Sequence, residues 1–133
     1  MGVAVLCAAL GLYGLYYVSP FGRHDRQAAA YERRVRAQVL AVGDVRVVSA
    51  RHQVNGDLTA TSSYCSFVVT FEVETALRAE VFESALKARL HQQRVDFVYE
   101  NTAPSADRAG GRRLLRVVVG TLGEGGSLDL RCG

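Results

Sequence analysis

The sequence predicts an α+β fold: an N-terminal transmembrane helix, then an αββαββ(β) two-layer sandwich with an antiparallel sheet. Three observations lead there. Gly2 to Val18 runs without a charge. From Cys65 the alternate residues Phe67, Val69, Phe71 and Val73 are apolar while Ser66, Thr70, Glu72 and Glu74 are polar, the period of two of a strand with one buried and one wet face. After Thr75 the period lengthens, and Leu77, Val81, Ala85, Leu86 and Leu90 recur at helical spacing. A sheet face and a helix to cover it suffice to organise a small domain.

The chain of 133 residues divides into a transmembrane anchor at 1–22, a juxtamembrane helix at 23–43 that is the first helix of the domain, and an α+β domain at 44–133. The anchor counts about twenty residues to Phe21, the length that crosses a hydrocarbon core. Tyr13, Tyr16 and Tyr17 gather at its end, where an aromatic belt sits. A cleaved signal peptide fits poorly, since no positive charge precedes Arg23 and Tyr16-Tyr17-Val18-Ser19-Pro20 is a poor cleavage site. Ala4, Cys7, Gly11 and Gly14 are spaced three, four and three, so these small residues line one side of the helix and form a candidate membrane-helix packing face.

From Asp25 to Val42 the stripe Tyr31, Val35, Val39 and Val42 predicts a helix, capped by Asp25 and ended by Gly43; Pro20 and Gly22 predict a bend between it and the anchor. Asp44 to Val54 reads as a strand with Val45, Val47 and Val48 as its core, and Asn55-Gly56 as a hairpin signal. A strict two-residue turn would set Arg46 opposite Cys65 on the buried face, so a bulge or a longer loop is expected. After the central strand and its helix, Arg94 to Glu100 forms a strand with Val95, Phe97 and Tyr99 on one face, 101–111 a loop, and Arg112 to Thr121 a buried strand. Leu122 to Ser127 reads as a glycine-rich turn, and Leu128 to Cys132 as a short closing strand.

Composition restricts function. The net charge is only +3, and of the 16 basic residues all but Lys87 are arginine, interspersed with acids. Without a single basic face, no nucleic-acid partner is expected. Cys7, Cys65 and Cys132 share no metal-ligand spacing; Cys65 and Cys132 fall on inner strand faces and are either buried apolar residues or a disulfide pair. His24, His52 and His91 are each flanked by polar residues and read as solvated. The run from Gly120 has the glycine of a phosphate cradle but no Lys-Ser/Thr and no following helix. No nucleophile context is present, so no catalytic residue, no metal and no cofactor is expected.

Two helix-strand-strand halves resemble a circularly rearranged ferredoxin-like fold. In its order of elements the chain also resembles the small single-pass inner-membrane assembly proteins of type II secretion and type IV pilus machines. That resemblance implies a non-enzymatic, membrane-anchored protein-interaction module, whose partners are the membrane and either itself or another membrane protein. The alternative is a membrane-tethered enzyme or small-ligand-binding domain with its site near the 101–111 loop or on the outer sheet face. The arginines after the anchor favour a cytosolic domain by the positive-inside rule. A Cys65–Cys132 bond would favour the extracytoplasmic side, which is the placement expected here.

Overall fold

In the computed structural model, residues 2–57, 64–90, 94–100 and 111–125 are described. They form helices α1 (Gly2–Val18) and α2 (Pro20–Leu40), strands β1 (Val45–Asp57) and β2 (Tyr64–Thr75), helix α3 (Ala79–Arg89), and strands β3 (Arg94–Glu100) and β4 (Arg113–Gly125). The four strands make one antiparallel sheet in the order β1-β2-β4-β3. This is an α+β architecture, with α2 packed on β1 and β2 and α3 on β3, both on the same face of the sheet.

Alternation in the central strands builds that face. Cys65, Phe67, Val69, Phe71, Val73 and Thr75 of β2 are buried, as are Leu115, Val117 and Val119 of β4. Against them α2 sets Ala28, Tyr31, Val35 and Val39. Thr75 closes the series: its Oγ1 accepts a hydrogen bond from the Leu77 amide at 3.2 Å, turning the chain into α3. From α3 the buried residues are Phe82 and Leu86, not Val81, which is 53% exposed. Leu86 and Leu90 are buried as the spacing implied, and Leu77 packs against the core, but Phe82 takes the inward place expected of Val81.

The bend between the first two helices is present, but α2 begins earlier than expected. Ser19, not Asp25, is its N-cap, with Oγ accepting from the Gly22 amide at 3.2 Å and Pro20 in the first turn. Proline is preorganised at that position and needs no amide partner there. At the far end Gly43 takes φ +95° and Asp44 φ +47°. Arg112 holds this left-handed pair, with Nη1 at 3.0 Å from Asp44 Oδ1 and Nη2 donating to the Asp44 carbonyl at 3.1 Å.

The first hairpin departs from the local turn signal. Asn55 pairs with Ser66 and Gly56 with Cys65, so β1 continues through Asn55-Gly56, and residues 58–63, which join it to β2, lie outside the described residues. The expected shift of register occurs through a bulge between Val47 and Ser49. Arg46 consequently faces Glu74 rather than Cys65. The bulge also turns Val48 outward, 52% exposed, so it is not a core residue.

Two further expectations change. β4 does not stop at Thr121: Leu122 pairs with Ser66 and Gly125 with Tyr64, so the first part of the glycine-rich run is strand. A bulge between Val95 and Phe97 splits the face expected for β3, leaving Val95 buried and Tyr99 exposed. The 101–110 part of the 101–111 loop, the Leu128 to Cys132 strand and His91 lie outside the described residues.

Candidate functional site

Two places carry side chains that packing among the described residues does not explain: the sheet face that no described helix covers, called the uncovered face below, and the junction of α1 with α2.

On the uncovered face, cross-strand neighbours bring Ser49 of β1, Glu72 of β2, Arg116 of β4 and Tyr99 of β3 into one row. Arg116 Nη2 lies 3.1 Å from Glu72 Oε1, Ser49 Oγ donates to Glu72 Oε2 at 3.1 Å, and Arg116 Nη1 donates to the Tyr99 hydroxyl at 3.1 Å. Ser49, Glu72 and Arg116 of the row line a shallow groove of about 260 Å³ together with Arg51, Gln53 and Thr70. Arg116 first, then Ser49, hold the Glu72 carboxyl below its ordinary value of 4.5, with burial opposing weakly. Glu72 in turn raises Arg116. Both carboxylate oxygens are thus engaged and the group stays ionised at neutral pH, which makes it a poor proton acceptor for catalysis.

The structure gathers only part of the acidic and basic set that could have marked a pocket. Glu74 lies one row away beside Arg46, 3.7 Å distant. His52 is on the covered face, where its Nδ1 meets Glu32 of α2. No group of three His, Cys, Asp or Glu among the described residues could hold a metal ion.

His24 corrects its sequence reading: it is buried, 3% exposed. Its ring lies 6.2 Å from that of Phe67, and its Nδ1 is 3.4 Å from Cys65 Sγ. Its helical position explains this, since it precedes Ala28, Tyr31 and Val35 on the buried stripe of α2. Cys65 is fully buried, while its expected partner Cys132 lies outside the described residues.

The second place is the elbow. Helices α1 and α2 meet at a bend of 69°. Ser19 Oγ donates to the Tyr16 carbonyl at 2.6 Å and Arg26 Nη1 to the Tyr17 carbonyl at 2.7 Å, capping the end of α1. The Arg26 guanidinium also stacks 3.9 Å above the Tyr17 ring, and the Tyr16 hydroxyl bonds Asp25. Gly22 sits under Tyr16 so closely that a Cβ there would lie 2.2 Å from the Tyr16 carbonyl oxygen.

No family model, no characterised protein and no solved structure matches the chain. Function must therefore be argued from the exposed surfaces themselves.

Those surfaces are uneven. Val5, Leu6, Leu10, Leu12, Tyr13 and Leu15 of α1 are all more than 60% exposed. Ala4, Cys7, Gly11 and Gly14 are exposed as well, with nothing near Gly11 or Gly14. Cys7 is a free thiol. No single helix among the described residues is long and apolar enough to cross a membrane, although α1 and α2 pass the test together as a bent pair.

Proposed function

We infer that the chain is a non-enzymatic, single-pass membrane-anchored module that presents a small α+β domain to partner proteins. The observation that carries this reading is the exposure of α1 along its whole apolar length. A continuous apolar surface of that size is not left in water; it is covered by lipid or by protein. Lipid is the better match to an all-round apolar helix, because a protein groove would leave one polar side. Seventeen residues give about 25 Å of helix, short of the roughly 30 Å hydrocarbon core unless the tyrosine end enters the interface.

The finer fold reading belongs here too. Strand order β1-β2-β4-β3 with a helix before each strand pair is the order obtained by moving the first strand of a ferredoxin-like βαββαβ unit to the end. That supports a permuted ferredoxin-like plan and the likeness to envelope assembly modules, in which the domain serves as a scaffold. Which side of the membrane the domain occupies turns on Cys65 and Cys132, since a bond between them persists only in an oxidising compartment.

Fractionation of cells expressing the full chain tests the anchor. The chain is expected in the membrane pellet and to stay there through carbonate extraction. A soluble form beginning after Ser19 would replace the anchor with a signal peptide. Substituting Gly11→Ile tests pairing through the small-residue face, with weaker crosslinking expected at unchanged insertion.

A further inference from the structure

Helix α2 carries a stripe that starts in the elbow and runs on past it, outside the core. Gly22, Arg26, Ala29, Arg33, Arg36 and Leu40 follow one another at intervals of four and three, so they lie along one side of the helix. Leu40 comes about five turns after Gly22 and points the same way. The buried stripe of the same helix (His24, Ala28, Tyr31, Val35 and Val39) occupies the opposite side. Arg26, Arg33 and Arg36 are exposed, and Leu40 is 46% exposed.

The elbow gives this stripe a direction. The two residues of α2 that touch the end of α1 most closely, Gly22 and Arg26, are its first two members. Helix α1 therefore leaves α2 from the striped side, at 69° to its course. If α1 enters a bilayer, the stripe is turned toward the surface that α1 has entered, and the sheet is turned away from it.

Charge identifies the occupant. The two acids of α2 are engaged elsewhere, Asp25 with Tyr16 and Glu32 with His52. Among the described residues no carboxylate is paired with Arg33, Arg34 or Arg36. The face beside the departing anchor is thus basic and unopposed, flanked by Arg34, with small alanines that let it approach a flat surface. Phosphate headgroups complement it in charge and in the fork geometry of guanidinium.

We propose that α2 lies in the membrane plane and docks its Arg33 and Arg36 face on anionic phospholipid headgroups. This rests on the anchor reading and adds to it a fixed orientation of the domain. Each arginine near an anionic surface contributes about fivefold in binding, so losing two shifts the docked–undocked equilibrium about 25-fold.

The chain contains no tryptophan, which permits a direct test. The full chain with Leu40→Trp is reconstituted into vesicles of phosphatidylcholine, with or without phosphatidylglycerol, containing a headgroup nitroxide lipid. The expected result is strong quenching of the introduced tryptophan in anionic vesicles, little in neutral ones, and reversal by about 0.5 M salt or by Arg33→Gln with Arg36→Gln. Equal quenching in both vesicles, or none in either, overturns the docking while flotation with neutral vesicles still upholds the anchor. Failure to float with neutral vesicles removes the anchor, and the docking with it. A blue shift that follows protein-to-lipid ratio rather than lipid charge assigns the face to a second copy and also overturns the proposal.

Discussion

Replacing Gly22 with alanine is the most demanding test of the elbow. An added Cβ would lie 2.2 Å from the Tyr16 carbonyl oxygen, whereas ordinary contact begins near 3.4 Å. The obstructing atom is backbone, so it moves only with α1, by about 1.2 Å. Taken over one helical turn as the pivot, about 5.4 Å, that is a rotation of about 13°, which carries the far end of a 25 Å helix through about 6 Å. Two energies compete. Alanine gains about 1 kcal/mol over glycine in a helix. Opening the elbow puts at risk the Ser19 cap, worth about 1 kcal/mol, and the Arg26–Tyr17 and Tyr16–Asp25 hydrogen bonds, each about 1 kcal/mol. The net expectation is a loosened elbow, about 1–2 kcal/mol less stable, over an unaltered domain. Spin labels on Cys7, a free exposed thiol, and on Ser84→Cys, exposed on α3, would read the change as a distance shift of several ångströms or a broadened distribution. An unchanged, equally narrow distribution in Gly22→Ala would show that the backbone absorbs the methyl locally and that the elbow is not set by this contact.

Three further outcomes are expected. Because the folded-state pKa of Glu72 is lowered, its ion pair stabilises the fold above the ordinary carboxyl value and the benefit is lost as pH falls through the lowered one. Glu72→Gln should therefore cost under about 1 kcal/mol at neutral pH, and its melting curve should converge on that of the wild type in acid. Phe82→Ala should cost about 3–5 kcal/mol but Val81→Ala within about 0.5 kcal/mol in denaturation of the full chain in detergent; the reverse order would put Val81 rather than Phe82 in the core, as the sequence spacing implied. If Cys65 and Cys132 are bonded, neither reacts with an alkylating reagent in denaturant until a reductant is added, and labelling without reductant would argue for a reducing compartment.

The parts of the fold legible in the sequence are those where one period dominates. Cys65 to Val73 alternates because one side of β2 lies under the helical layer and none of the described elements covers the other, and a side chain's pattern records that directly. The hairpin signal at Asn55-Gly56 failed because a turn preference is local, whereas extending β1 to Asp57 gains ladder bonds and cross-strand contacts with Tyr64 to Phe67. Val48 and Tyr99 were misplaced because of bulges: Val48 is itself the extra residue of one and Tyr99 follows another, and a bulge shifts the alternation without leaving a residue-type signature. His24 was misread from its neighbours Arg23 and Asp25, when the informative residues are one and two turns away, at Ala28 and Tyr31. The Ser49–Glu72–Arg116–Tyr99 row could not be read at all, since it joins four strands and needs the register of three pairings. Its one legible hint was the pair of acids, Glu72 and Glu74, on the wet face.

Strand β1 is 13 residues long and is the edge strand among the described ones, the kind of border that invites another chain to add on. The bulge at Val47/Ser49 divides that border. An incoming strand in register with the first stretch would fall out of step at the second, and straightening the bulge would force Val48 inward and Ser49 out of reach of Glu72. Arg46, Arg51 and His52 add charge or bulk along the same edge. Runaway strand addition is thereby opposed, a useful property for a domain that the proposed anchor would concentrate in two dimensions.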